Sequence, residues 1–122
     1  MRYQKRSVND SHLIKAAAFG DLPEIEQEIK SGACELFSLG ACHFVVRCEN
    51  TSRGKELVIV CAQGQNLIKP IAKIIQDAIS QQFDCIRFHP ATKRRGAALL
   101  KMASQQGKWL ENQYYIVNLK GV

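Results

Sequence analysis

The sequence predicts an α+β fold, a mixed β-sheet of about five strands with a central parallel pair, flanked by helices. Three observations carry that expectation. Cys42, Phe44, Val46 and Cys48 alternate with His43, Val45 and Arg47, the period of a strand with one buried face. Leu57-Val58-Ile59-Val60-Cys61 is apolar on both faces, as in a central strand covered from two sides. Ile68, Ile71, Ala72, Ile75, Ala78 and Ile79 fall on one helical face, and a second apolar strand follows. A strand–helix–strand unit of these lengths makes its two strands parallel.

In chain order, residues 1–10 read as a polar leader and residues 11–122 as a single domain. Ser11 to Phe19 reads as a short helix stopped by Gly20. Asp21 caps a second helix, with Pro23 in its first turn, Glu24 at its third position, Ile25 and Ile29 as its apolar stripe and Gly32 at its end. The stretch LIKAAAFGDLPEIEQEIKSGA resembles one ankyrin repeat. No second copy follows, and a lone solenoid repeat cannot bury its face, so two short helices are expected. Strands are expected at residues 34–39, 42–48 and 56–62, with the polar turn Asn50-Thr51-Ser52-Arg53-Gly54 between the last two. Pro70 is tolerated only in a first turn, so the long helix must begin near Asn66 or Leu67. A fourth strand is expected at residues 84–89, a helix at 93–106 with Ala98, Leu99, Met102 and Ala103 buried, and one last strand at 109–119.

The 122 residues, 46% hydrophobic and 23% charged, suffice for one cored domain and exclude a disordered chain. No apolar run approaches the ~20 residues that span a bilayer. The basic N-terminus leads into no apolar signal core, so a cytoplasmic location is expected. Residues 1–85 hold ten Lys/Arg and ten Asp/Glu, whereas residues 86–122 hold seven Lys/Arg against Glu111 alone, so the whole net charge of +6 lies in the last third. That asymmetry suits an anionic partner, or simply solvates one face. Cys34, Cys42, Cys48, Cys61 and Cys85 form no C-x-x-C pair and have no zinc-finger histidine spacing, so no metal is expected and the thiols read as small buried hydrophobes in a reducing setting.

The order helix, helix, three strands, helix, strand, helix, strand resembles that of the GNAT N-acetyltransferase family. The match runs through LVIVCAQGQNLIKPIAKIIQDAISQQFDCIRFHPATKRRGAALLKMASQQGKW. The run CIRFHPATKRRGAALLKMASQQG is similar to small GNAT-like proteins of phages and prophages. The resemblance implies a loop, Gln63, Gly64, Gln65, Asn66, Leu67 and Ile68, whose amides at the long helix's N-terminus would hold the pyrophosphate of coenzyme A or acetyl-CoA. It also implies that the parallel strands splay between Cys61 and His89 to admit the pantetheine arm. The family's loop reads Q/R-x-x-G-x-G/A, and here Gln63 and Gly64 remain with no glycine at the helix start. The Tyr that the family often places four residues before a Gly is Ala103 here, counted from Gly107. The family's first strand has no counterpart in the pattern, and its last hairpin reads as one strand.

Other candidates come from residue type. Cys61 and His89 would end adjacent parallel strands, either as a nucleophilic pair or as a buried thiol and a strand-end imidazole bonding backbone. His43 reads as a satisfied sheet histidine, and His12 as exposed. Glu35, Glu49 and Glu56 are the acids on the strands where the family often keeps a general base, yet Glu49 and Glu56 read as hairpin-rim charges facing water. Lys93, Arg94 and Arg95 open a helix, where cations oppose the macrodipole, and so read as an anion-binding corner or a solvated basic turn. Tyr114 and Ile116 are expected on an edge strand that pairs in a homo-oligomer or under a protein partner. The expected function is that of a phage-type GNAT-like protein acting through binding or virion assembly. The alternative is an acyl-CoA-dependent N-acyltransferase. Nucleic-acid binding is a third reading, weakened by the lack of aromatics among the basic residues.

Overall fold

The computed structural model describes residues 1–88, 107–110 and 114–119 of the chain. The fold is α+β. Among the described residues, the strands are β1 (Tyr3–Lys5), β2 (Glu35–Leu39), β3 (Cys42–Thr51), β4 (Gly54–Gln63), β5 (Cys85–Phe88), β6 (Gly107–Leu110) and β7 (Tyr114–Asn118). They form one mixed seven-stranded sheet in the order β1-β2-β3-β4-β5-β7-β6. The α-helices among the described residues are α1 (Lys15–Ala18), α2 (Leu22–Ser31) and α3 (Ile68–Ser80). The expected parallel pair is present: β4 and β5 run parallel from Glu56–Cys85 to Ile59–Phe88, and every other ladder is antiparallel.

Seven strands replace the expected five or so. Tyr3–Lys5, inside the expected polar leader, pairs with Phe37–Leu39 as an edge strand. A three-residue strand shows no legible period, and it is anchored by Tyr3 packed edge-on against Phe37, with ring centroids 5.3 Å apart. The expected single strand at 109–119 is a hairpin, β6 against β7, in register from Gly107–Val117 to Leu110–Tyr114. This places Tyr114 and Ile116 on an interior strand, paired on one side with β5 and on the other with β6. Ile116 is buried. The expected apolar edge at this strand is therefore occupied by β6.

The first helical segment differs as well. Ser7 and Asp10 form a capping box, and a 3₁₀ helix runs over Val8–Ile14 before α1. In α2, Asp21 is the N-cap residue without a side-chain cap bond, Pro23 lies in the first turn, and Gly32 closes the helix at φ +84°. Leu67 is the N-cap of α3, so Pro70 falls in its first turn as required. The helix at 93–106, with its proposed core positions, lies outside the described residues.

Each sheet face carries its own core. Leu67, Ile71, Ile74, Ile75 and Ala78 of α3 pack on Phe44, Val46, Leu57, Ile59, Ile86, Phe88 and Val117. Each such aliphatic or aromatic side chain, fully buried, contributes about 1.5–3 kcal/mol. On the opposite face Ile14, Ala18 and Ile25 cover Leu36, Val45 and Cys61. The two faces change phase along β4. Val45 pairs with Cys61 but Val46 with Ile59, which makes Val60 the extra residue of a β-bulge. Leu57 and Ile59 precede the bulge on the α3 side; Ala62 returns there after it, while Val60 and Cys61 both pack toward α1 and α2. The parallel ladder is described as far as Ile59–Phe88, and β4 continues past the bulge to Gln63; the expected splay toward His89 lies outside the described residues.

Candidate functional site

The last residues of β4 lead directly into the loop Gln63–Ile68 and the start of α3. Gln63 is fixed by its Oε1, which accepts from Ala17 N at 3.0 Å and so ties the strand end to α1. Gly64 has φ +142°, and a Cβ there would stand 2.9 Å from Cys42 Cα and 2.9 Å from Cys42 Sγ. The chain can make this close approach only with glycine. The Cys42 thiol donates to the Gln65 carbonyl at 3.2 Å, pinning the loop to β3. Asn66 takes the left-handed conformation at φ +58°, which an Asn tolerates better than any residue except Gly. Gln65 and Asn66 are exposed, Leu67 is buried in the α3 core, and Ile68 is half-buried at the helix start. A helix N-terminus offers four free amides. Here Pro70 at the third position removes one, and Leu67 makes no side-chain cap bond.

Cys61 follows the bulge. Burial, and then the charge of Asp21, push its thiol up to about 11, so it is protonated at neutral pH. Its proposed partner His89 lies outside the described residues, as do Lys93, Arg94 and Arg95. His43, expected as a satisfied sheet histidine, has its Nδ1 2.6 Å from the Ser38 hydroxyl, and His12 is exposed.

The strand acids depart most from expectation. Glu35 is exposed, but Glu56 is wholly buried, not a rim charge. The register sets Arg87 of β5 beside it on the same face, because Val58 pairs with Arg87 and Glu56 with Cys85. Arg53 Nε lies 3.0 Å from Glu56 Oε2, and Thr51 Oγ1 and Cys85 Sγ donate to the same oxygen at 3.3 Å. Arg87 Nε lies 3.2 Å from Oε1, close enough for an ionic contact but not aligned for a hydrogen bond. Burial pushes the Glu56 carboxyl up, and the hydrogen bonds from Arg53 and Cys85 with the charges of Arg87 and Arg53 outweigh it, leaving the pKa below its ordinary value. Such a carboxylate stays ionised and is a poor proton acceptor. Glu49 is held by Arg47 at 2.8 Å and Arg87 at 2.7 Å, and Arg47 reaches on to Glu28 of α2 at 3.6 Å. No sequence signal links residues so far apart; only the parallel register of β4 and β5 brings them together.

Among the described residues no group of three or more His, Cys, Asp or Glu side chains could hold a metal ion, and no helix is long and apolar enough to cross a membrane. No family model matches the chain, and a search of curated proteins finds no match.

Proposed function

We propose that the chain is a small GNAT-like protein of the phage and prophage type that acts by binding, through a protein partner or in virion assembly. The observation that carries this reading is the β4–α3–β5 unit: β4 runs past a bulge at Val60 into the loop Gln63–Ile68 and α3, and β5 returns parallel to β4. That order of strand, bulge, loop, helix and parallel strand supports a GNAT-like frame. β1 and the β6–β7 hairpin add support, since they supply the two family elements that the sequence pattern lacks.

The loop itself argues for binding over acyl transfer. Ile68 puts a β-branched side chain where the family keeps a Gly or Ala, and Pro70 deletes one amide from the helix start. Both oppose a pyrophosphate seated on the first turn. The raised Cys61 thiol and the ion-paired Glu56 are in the wrong protonation balance for a nucleophile and a base. One observation favours the alternative acyl-CoA-dependent N-acyltransferase: Asn66 holds the left-handed turn at the first glycine position of the family's pattern.

Thermal melting with millimolar coenzyme A, acetyl-CoA and duplex DNA in parallel tests the reading. A ligand at 100 times its dissociation constant adds about 2.7 kcal/mol, a rise of roughly 10 °C for a domain of this size. We expect no such rise with either coenzyme. A rise with acetyl-CoA accompanied by acetyl transfer to an amine would establish the acyltransferase instead, and a rise with DNA alone would favour the nucleic-acid reading.

A further inference from the structure

At the opposite end of β3 from Glu49, residues distant in sequence form a basic polar cluster that the reading above does not use. Arg6 leaves β1 and is tethered through its backbone, its N–H donating to Leu36 O at 2.9 Å. Its Nε donates to Ser38 Oγ at 3.1 Å. Ser38 is 1% exposed and stands across the β2–β3 ladder from His43, with Oγ 2.6 Å from His43 Nδ1. Ser38 Oγ accepts from Arg6 and shares a hydrogen bond with Nδ1, so the Ser38 hydroxyl engages Nδ1 and Nε2 is the ring nitrogen left for a ligand. The 3₁₀ helix carrying His12 packs on β3 and β4. His43 is half-buried and His12 exposed, so the cluster opens to solvent.

We propose that Arg6, His12 and His43 form a binding site for a phosphoryl group, either free phosphate or a phosphate monoester. The Arg6 guanidinium is fixed by Nε on Ser38 Oγ and by Nη2 on Gln4 Oε1 at 3.2 Å, which leaves Nη1 as its donor to a ligand, and the protonated His43 ring supplies a second donor at Nε2. Burial, and then the charges of Arg6 and His12, hold the His43 imidazole below its ordinary value. A bound dianion relieves that mutual repulsion. The groups around His43 are Ser38 from β2, Arg6 from the β1 exit, His12 from the 3₁₀ helix and Gln63 opposite it on β4. The acids of neighbouring segments are engaged elsewhere: Asp10 accepts from Ser7 N and Glu26 from Ser11 Oγ. Cations and neutral donors therefore dominate the site, and binding strengthens as the His43 imidazole protonates.

The test is an NMR titration of the full chain, following the imidazole resonances of His12 and His43 across pH with inorganic phosphate, methyl phosphate or acetate at equal ionic strength. We expect both phosphates to raise the His43 pKa by about one unit, equivalent to about tenfold tighter binding to the protonated ring. The tighter of the two identifies the free ion or the monoester as the ligand form. Arg6→Gln and His43→Gln should each weaken phosphate binding about tenfold, the loss of one charge-assisted hydrogen bond. Lys30→Gln, on the far end of α2, should leave it unchanged. The titration of the unaltered chain does not depend on either variant folding. Imidazole titrations unmoved by phosphate, or moved equally by acetate, would overturn the proposal, as would full affinity in folded Arg6→Gln.

Discussion

Arg87 Nε on β5 lies 3.2 Å from Glu56 Oε1 on β4, and the Glu56 side chain has no exposed surface. A buried ion pair is weak evidence of net stability, but breaking one leaves an uncompensated charge in a low-dielectric layer. Glu56→Ala should therefore cost about 3 kcal/mol, read as a lower urea midpoint at unchanged m-value. The half-buried pair Lys73–Asp77, 3.2 Å apart on α3, still in reach of water, should give only about 1 kcal/mol when Lys73 is replaced. The Glu56 pKa is depressed on folding, so its contribution is complete above the ordinary carboxyl value of 4.5 and fades as pH falls through the lower folded value. The stability gap between the native chain and Glu56→Gln should narrow below that pH. A gap that stays constant to pH 2 would count against this origin.

Gly64 is the most constrained point of the loop. Alanine there meets Cys42 Cα and Sγ at 2.9 Å while holding φ at +142°. Gly64→Ala should cost about 2 kcal/mol. Cys42→Ala removes the sulfur but not the Cα, so a double-mutant cycle should recover only part of that loss. Full recovery would place the whole clash on the thiol.

Four of the five cysteines are buried and Cys48 is exposed. Burial and hydrogen bonds to Glu28 and Glu56 push Cys34 to about 12 and Cys85 to about 11. Thiolate is the reactive form, so brief treatment with iodoacetamide at pH 7.5 should give one adduct on the native chain, at Cys48, and five in denaturant. Raised folded pKa values stabilise the chain below the ordinary thiol value of 9.0, and that contribution is lost as pH rises toward 11. Alkaline unfolding should set in over that window, and Cys85→Ser should shift its midpoint.

The parallel β4–β5 pair and α3 were legible in the sequence because each carries a long periodic or continuous apolar run. The α3 stripe can be read from Ile71, Ile75 and Ala78 even though Ile74 escapes it. β1 was not legible, since Tyr3 is a single aromatic whose partner Phe37 lies 34 positions on. The β6–β7 hairpin was hidden because Trp109 through Leu119 contains enough apolar residues to pass for one strand. The ion-pair chain Glu28–Arg47–Glu49–Arg87–Glu56–Arg53 depends on a parallel register that no local pattern encodes. The Arg6–Ser38–His43 cluster is hidden because β1, which carries Arg6 to Ser38, shows no period of its own, although the two-residue turn between β2 and β3 already places Ser38 opposite His43.

Lys93, Arg94 and Arg95 lie outside the described residues, and their expectation rests on charge. Changing all three to Glu should sharply lower the salt needed to elute the chain from heparin, because surface attraction is screened as the Debye length falls from about 10 Å at 0.1 M to about 3 Å at 1 M. The melting temperature should hold or rise where the helix expected at 93–106 forms, since acids suit a helix start. Unfolding of the triple variant with retention unchanged would assign these residues a structural role.

The loop supplies the last expectation, because its departures from the GNAT pattern sit at two positions. Asn66→Gly keeps the left-handed turn at φ +58° without a side chain over it. Ile68→Ala clears the first turn of α3, at the cost of a half-buried side chain beside the Leu67 and Ile71 core. Ile-to-Ala at a fully buried site costs about 2–5 kcal/mol, and half-burial should put this variant at or below the lower end. If the frame is GNAT-like and these side chains keep pyrophosphate from the amides, the double variant should gain a melting rise with coenzyme A that the native chain lacks. The rise should grow with ligand concentration as the logarithm required for binding to the native state alone. Pro70 remains and still withholds one amide, so the regained affinity should be modest, and it should not bring acetyl transfer with it. A double variant that folds, as judged by its unchanged urea m-value, yet stays indifferent to millimolar coenzyme A would remove the GNAT-like reading of this loop. It would leave the bulge at Val60 as a feature of the sheet alone.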